Sequence, residues 1–579
     1  MTENEKKPSS SVLSKQLKAR SSRIKKLSPS CSTSSTVPVS QSAASTTSTS
    51  VPAPASSSRS CRKRSHTSTH IPQQIEVTDP SKMKWAKFDG YLSSSVGFPT
   101  ANYSSFRDMT AVALFELVFT DEILNLMLNE ISKYALFLNC SDPRVSKDQL
   151  KVFLGILIVS GYNILAGKRQ YWEAAMDVRN EMVYNAMRRD RFSQIMRFLH
   201  FADNTRPDLT DKMWKLRPLI NLLKSSFLKN FRPSPQLDYD ESMVAYFGRH
   251  GCKQFIRGKP IRFGYKVWSL NSPVGYLVNF EIYQGRNPYS NTEYEERFGK
   301  AAAPLMQMID DLPEQYKLLP YHFYFDNLFT GMKLLSELKC RGYAATGTIR
   351  DNRLPRGCPL TSKKDMSRKK RGSHESLLCH EEGIMVARWV DNSVVTVAST
   401  GHGVLPVSNV QRYSQAEKKV VMVPRPLAVG EYNKYMGGTD RMDENIAMYR
   451  VGVRGKKWWW PLFTWLLDSA IHNAWILARS AGSTLPQLEF RRQIAQTYLL
   501  RYKAPPKGAG RPASAVQSST GSRVSDELRY DGIGHLVYPT ENNKRRRCAG
   551  QACCSVGRTE CRKCDVGLCI SCFAPFHTR

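Results

Sequence analysis

The sequence predicts an α/β core set between all-helical segments. An unstructured basic N-terminus precedes them, and a small cysteine-rich module closes the chain. Three observations carry this reading. Apolar residues recur at helical spacing from about residue 84. Strand texture interrupted by one amphipathic helix takes over from about 236 to 350. Seven of the fourteen cysteines crowd between Cys548 and Cys572.

Residues 1–84 are rich in Ser, Thr and Pro, with basic knots at SRIKKL (22–27) and SRSCRKRSH (58–66). Such a composition buries too little apolar surface to offset its ordering entropy, so disorder is expected. The knots suit nuclear import or nonspecific DNA contact, and equally a merely soluble tail. Next, FRDMTAVALFELVFTDEILNLMLNEISKYALFL (106–138) has helical spacing. Another helix is expected after Ser146, with Gln149 three residues on as its capping-box partner. EMVYNAMRRDRFSQIMRFLHF (181–201) sets Arg188, Arg189, Arg191 and Arg197 among apolar positions. That pattern suits a helix lying on phosphates, or an ordinary solvated face.

KPIRFGYKVWSL (259–270) and GYLVNFEIYQG (275–285) read as paired strands joined by the turn NSPVG. The strand in HFYFDNLFTG (322–331), the helix in MKLLSELKCRG (332–342) and the strand in YAATGTIR (343–350) follow. Strand, helix and strand in succession argue for an α/β core. Residues 351–427 are basic and turn-rich, with SKKDMSRKKRGS (362–373) as an exposed loop. YNKYMGGTDRMDENIAMYR (432–450) turns through Gly437-Gly438 into a helix. KKWWWPLFTWLLDSAIHNAWILARS (456–480) is apolar on several faces and therefore a buried helix. Residues 503–530 read as a Pro, Gly and Ser linker. Its KGAGRPAS stretch (507–514) keeps only the Gly-Arg-Pro core of an AT-hook and is taken as linker.

The chain has 579 residues, which favours two to four domains. A formal charge of +34 points to a polyanionic partner, nucleic acid above all. A membrane partner is not expected: the longest apolar run, Val152 to Gly167, is too short and interrupted to span a bilayer. No charged-then-apolar leader opens the sequence, and an intracellular protein is expected. In a reducing compartment a dense cysteine cluster reads as a metal site.

Asp326 ends the HFYF strand, a costly place for a carboxylate unless something uses it. Asp240 lies in LDYDESMVAYFGR and is expected to start the first strand region. Asp440 lies in GGTDRMD, with Asp443 three residues on and so on one helical face. Three converging carboxylates need a cation, and hard oxygen ligands suit Mg²⁺ or Mn²⁺. Two such ions about 4 Å apart serve phosphodiester transfer. Taken singly, each aspartate is also an ordinary cap or surface residue.

These segments resemble the piggyBac-type DNA transposases and the host proteins derived from them. The likeness rests on DESMVAYFGRHGCKQFIRGKPIRFGYKVW (240–268), FDNLFTG (325–331), TGTIRDNR (346–353), YNKYMGGTDRMDENIAMYR (432–450) and the Cys/His tail. It implies an α/β RNase H-like catalytic core, residues 236–352 and 428–450, with an insertion at 353–427. It also implies a split all-α dimerisation and DNA-binding domain, residues 85–235 and 451–530. Asp240, Asp326 and Asp440 would hold two Mg²⁺ or Mn²⁺ ions, and Asp443 matches a further acid that the family needs. Asp238 competes for the first position; Asp240 is preferred because it directly precedes Glu241 and the FGR stretch. Water would nick the element's ends, and the freed 3′-hydroxyl would attack the opposite strand to form a hairpin. After hairpin opening, the 3′ ends would join target DNA at TTAA sites. Trp458 falls where the family has a tryptophan after a basic stretch, here Lys456 and Lys457, and suits stacking on an unpaired base. Core packing is preferred for Trp459 and Trp460. Double-stranded DNA with terminal inverted repeats, a homodimer and a nuclear location complete the expectation.

The tail (544–579) offers Cys548, Cys553, Cys554, Cys561, Cys564, Cys569, Cys572 and His577, enough ligands for two tetrahedral Zn²⁺ sites. Cys561-x-x-Cys564 and Cys569-x-x-Cys572 have the close pair spacing, and alternate pairs are expected on alternate ions. Adjacent Cys553 and Cys554 rarely share one ion, so one of them is the doubtful ligand. Arg545 and Arg546, in KRRR (544–547), fit DNA contact and nuclear import. The leading expectation is a cut-and-paste transposase. The alternative is a domesticated nuclear DNA-binding protein without transposition. A zinc-module adaptor explains the tail alone.

Overall fold

The computed structural model describes residues 83–92, 97–175, 177–503 and 524–578. The expected disorder of residues 1–84 lies outside them, except for residues 83 and 84, and so does the Gly-Arg-Pro segment at 507–514.

A mixed ten-stranded sheet organises the chain. Its strands are β1 (Trp85–Lys87), β2 (Gln236–Ala245), β3 (Gln254–Phe255), β4 (Phe263–Asn271), β5 (Leu277–Ile282), β6 (His322–Phe325), β7 (Ala344–Thr348), β8 (His374–Cys379), β9 (Ile384–Val390) and β10 (Val394–Ser399). They lie in the order β1-β8-β9-β10-β7-β6-β2-β4-β3, with β5 also on β4. β6 runs parallel to both β2 and β7, and the remaining pairs are antiparallel. All four residues of β6 are buried, as a central parallel strand requires. β4 and β5 pair through the predicted turn, where Gly275 takes a φ of +94°. Asp240 is not at the start of β2 but in its middle, because the strand begins four residues earlier, at Gln236.

The stretch expected as an insertion, 353–427, does not stand apart from the core. Its strands β8, β9 and β10 extend the same sheet beyond β7. Only Ser408–Ser414 (β11) and Lys419–Arg425 (β12) form a separate two-stranded ribbon.

Helices before β2 and after residue 451 share one hydrophobic core with the sheet, running from Phe106 to Leu499. Helix Lys147–Tyr162 opens with the capping box of Ser146 and Gln149. The 106–138 stretch divides into Ala111–Val118, capped by the Thr110 side chain, and Asp121–Phe137. The 181–201 stretch divides into Glu181–Ala186 and Arg189–Phe198. There Met187 turns extended, and its carbonyl accepts the Trp172 indole N–H at 2.7 Å, a tertiary bond that outweighs helical continuity. Helices Trp460–Ser480 and Gln487–Arg501 are joined by a fully buried pair, Asp468 and Arg491, at 2.9 Å. Asp468 also accepts the Val451 N–H, and Arg491 donates to the Tyr449 carbonyl. The pair thus fixes the segment leaving helix Gly438–Met448, which carries two of the candidate acids.

Candidate active site

The register of β2 on β6 pairs Tyr239 with Phe325, so one residue further Asp240 falls opposite Asp326. Paired residues of parallel strands point to the same face. Asp326 ends β6 by accepting the Leu328 N–H on Oδ1 at 2.6 Å, while its backbone carbonyl accepts from Thr330. Arg353 holds the loop that follows, donating to the carbonyls of Thr330 and Leu328 at 2.7 and 2.8 Å. The segments FDNLFTG and TGTIRDNR are therefore physically clamped together.

Two helices, Leu427–Tyr435 and Gly438–Met448, bring the remaining groups. Asp440 sits exposed in the first turn of the second, where the helix dipole favours a negative charge. Asp443 is half-buried next to Ser242 of β2, and desolvation pushes its carboxyl up to about 7. Burial, opposed by the nearby Lys259 ammonium, holds the Asp240 carboxyl well above the usual range, and Asp326 adds repulsion. Tyr432 is pushed up by burial and further by Asp326, Asp240 and Asp440, so one phenol feels all three acids. Lys259 reaches in from the β3–β4 turn, its Nζ 3.6 Å from Glu241 Oε1. Burial lowers the Lys259 pKa, but Asp240, Glu241 and Asp440 more than compensate and raise it. Asp240, Asp326, Asp440 and Asp443 are thus gathered around one space, with Lys259 pressed against it.

Asp238 has a different place. It is fully buried under the start of helix Gly438–Met448, and one oxygen accepts both the N–H and the hydroxyl of Thr439. Burial pushes its carboxyl up to about 7. A Cβ on Gly438 would come within 1.9 Å of Asp238 Oδ1, so glycine is needed for this close approach. Asp238 seats the helix rather than facing the open cluster.

The acids present hard oxygen donors, the set that Mg²⁺ or Mn²⁺ prefers. Among the described residues, however, only two Cys/His sets have donors all within 4.8 Å of one another. The carboxylate oxygens spread wider than one ion's shell.

Those two sets form the C-terminal module. His535, Cys561, Cys564 and His577 make one, and Cys548, Cys553, Cys569 and Cys572 the other. Cys548 and Cys569 sulfurs lie 3.7 Å apart, Cys553 and Cys569 3.9 Å. Cys564 Sγ lies 3.5 Å from His535 Nδ1 and 3.4 Å from His577 Nε2. Zinc bonds of about 2.3 Å to sulfur and about 2.0 Å to nitrogen, at tetrahedral angles, give about these separations. The free ring nitrogens are oriented as zinc-binding histidines need: His535 Nε2 meets Asp531 at 2.9 Å, and His577 Nδ1 meets the Phe573 carbonyl at 2.8 Å. The sets interleave along the chain, which crosses between them. Cys554 is exposed and belongs to neither, a correction to the expected ligand list. His535 takes its place. It was missed because it stands thirteen residues before the cysteine window, with no pair spacing to mark it.

A family model described as transposase IS4 matches residues 110–475, a span holding all five aspartates. The human piggyBac transposable element-derived protein 3 is 40% identical over 524 residues, covering 88% of this chain and 84% of its own length. The chain belongs to the piggyBac-type transposase family. Human piggyBac transposable element-derived protein 2 is 37% identical over 512 residues, covering 88% of this chain and 83% of that protein. The fold matches a solved piggyBac transposase, in a synaptic complex with hairpin DNA, at a TM-score of 0.57 and 19% identity. The match covers 82% of this chain and 99% of that one.

Three residues that this transposase-family chain was expected to offer to DNA are committed internally, and the expectation is corrected. Arg191 donates to the carbonyls of Pro143 and Arg144 and to Gln149, bracketing the loop before helix Lys147–Tyr162. Lys457 donates to the carbonyls of Met196, Arg197 and Leu199, closing the C-terminus of helix Arg189–Phe198. Arg546 is held by Glu560 and Asp565 within the zinc module, both at 2.8 Å. Arg188, Lys456 and Arg545 are exposed. Trp458 is half-buried and stacks on His250 at 4.1 Å, whereas Trp459 and Trp460 are core residues. No helix among the described residues is long and apolar enough to cross a membrane.

Proposed function

We propose that the protein is a metal-dependent DNA transposase of RNase H-like fold. It would cleave element ends through hairpin intermediates and join them to TTAA target sites. The observation carrying this is the placement of Asp240 opposite Asp326 on parallel strands, with Asp440 delivered by the helix seated on Asp238. Two Mg²⁺ or Mn²⁺ ions, bound by Asp240, Asp326 and Asp440, would supply activation of the attacking oxygen and stabilisation of the leaving one. The chain's own residues do the rest. Asp326 is held by its turn and by the Arg353 clamp, and Asp440 and Asp443 by the helix they share. Rigid placement of this kind is what phosphoryl transfer demands of a protein.

The interleaved Cys/His sets take two structural Zn²⁺ ions and, with exposed Arg545 beside them, bind terminal DNA. DNA is the partner, a homodimer the working form and the nucleus the location. A second reading, a domesticated DNA-binding protein that no longer moves DNA, is favoured by the human relatives' description as transposable element-derived. Persistence of every family acid favours the enzyme. The test is Mg²⁺-dependent cleavage of DNA carrying the gene's own genomic flanks, wild type against Asp326→Asn. Nicking by wild type alone supports the transposase. Specific binding by both without nicking supports the domesticated protein.

A further inference from the structure

The excursion between β2 and β4 carries exposed aromatic rings. Phe247 is 80% exposed, Phe255 59% and Phe263 42%. Phe255 and Phe263 are a cross-strand pair of β3 and β4, with ring centroids 4.8 Å apart. The turn between them is closed by the Ile256 N–H bonded to the Arg262 carbonyl at 2.9 Å. Its side chains are basic. Arg257 and Arg262 are exposed and form no ion pair or side-chain hydrogen bond among the described residues. From the same turn Lys259 reaches the acids, 3.6 Å from Glu241.

Large exposed phenylalanines are not needed to fold this hairpin, and unneutralised guanidiniums beside them ask for an anion. A partner with both phosphates and accessible aromatic faces satisfies each demand. Duplex DNA hides its base faces in the stack, whereas an unpaired strand presents them. A second copy seated symmetrically on this face would set Arg257 and Arg262 against its own guanidiniums, so local charge disfavours that occupant here. We propose that the 254–263 hairpin is a stacking site for an unpaired DNA strand, with bases on Phe255 and Phe263 and phosphates on Arg257 and Arg262. Lys259 then continues the phosphate track to the carboxylates. This deepens, and rests on, the reading of the protein as DNA-directed.

The test uses the full chain at about 150 mM salt. The probe is a fluorescein-labelled 20-nucleotide strand of mixed sequence, offered single-stranded and as the blunt duplex. Phe255→Ala is expected to weaken single-strand binding about tenfold and to leave duplex binding within about twofold; Phe255→Trp retains wild-type affinity. Arg257→Gln combined with Arg262→Gln is expected to flatten the single-strand salt dependence by somewhat over one log unit of affinity per log unit of salt. Equal losses on both DNA forms, or no loss on either, would overturn the proposal. So would loss of self-association with single-strand affinity unchanged, which assigns the patch to a second copy. Wild type that binds neither form overturns the DNA-directed reading itself. Wild type that binds while Phe255→Ala matches it overturns only the hairpin site.

Discussion

Thr439 donates its backbone N–H and its hydroxyl to the same oxygen of Asp238, at 2.8 and 2.7 Å, across 201 residues of sequence. A strand acid thus receives the start of the helix that bears Asp440. The other Asp238 oxygen is buried without a partner among the described residues. Charge there is costly, which is why the carboxyl titrates near 7.

The two neighbouring acids of β2 should separate cleanly by mutation. Asp238→Asn keeps an acceptor for Thr439 and removes a buried charge, so folding survives and cleavage stays within about tenfold. Asp240→Asn should bring cleavage to background while DNA binding holds within about twofold. Asp238→Ala leaves Thr439 unpaired and should cost about 1–3 kcal/mol in urea unfolding. If Asp238→Asn alone abolished cleavage, the first metal position would belong to Asp238.

Zinc content tests the ligand sets directly. Elemental analysis of purified protein should give two zinc ions per chain. His535→Ala should lose one of them, since His535 completes the set with Cys561, Cys564 and His577. Cys554→Ser should keep both. Loss of zinc from Cys554→Ser, with His535→Ala intact, would reverse the assignment.

Lys456 and Lys457 are adjacent and should behave as opposites. Lys457→Gln empties the three-carbonyl seat at the end of helix Arg189–Phe198 and should destabilise by about 1–3 kcal/mol. Its DNA affinity should keep the wild-type salt dependence. Lys456→Gln should leave the melting temperature alone and lower the salt slope by about one. An unchanged slope would remove Lys456 from the phosphate contacts.

His472 gives a pH dependence with a defined sign. Burial holds its imidazole down at about 4, with one ring nitrogen on the Gly275 carbonyl at 2.8 Å and Nδ1 unpartnered among the described residues. The unfolded chain takes up a proton near pH 6.5 and the folded one only near 4. Stability from this group is therefore complete above about 6.5 and falls as the pH drops. Between pH 7 and 5 the loss should be about 2 kcal/mol. Asp238 and Asp443, held near 7, act in the opposite sense, so the readout is the difference between wild type and His472→Gln. Parallel urea-stability profiles for the two proteins would count against the assignment.

Sequence patterns located most elements because each has a local cause. HFYF reads as a central strand since all four positions are apolar or aromatic, and the Ser146–Gln149 box marks a helix start by itself. What was illegible depends on distant partners. Lys457 looks like a DNA contact until the carbonyls of Met196, Arg197 and Leu199 arrive from 260 residues earlier. Met187 lies within a helical pattern, yet bends out to meet Trp172. The motif likeness picked out Asp240 and Asp326 together. It preferred Asp240 to Asp238 but gave no role to Asp238, which emerges only when Thr439 packs on it. His535 lacked a nearby ligand to form a spacing, so its place in the metal set is a property of the folded module alone.

The long separation between Asp238 and Thr439 also bears on how the protein is made. At roughly 5–20 residues per second, a ribosome adds the 201 intervening residues in about 10–40 s. During that interval β2 can pair and bury its flanks, but its acid has no helix to accept. Asp440 and Asp443 emerge last, together with the segment that Asp468 and Arg491 later fix. A nascent chain stalled before this point carries the strand acids but not the helical ones. The acid cluster is thus completed only once Asp440 and Asp443 have been added, and release before that point leaves it incomplete.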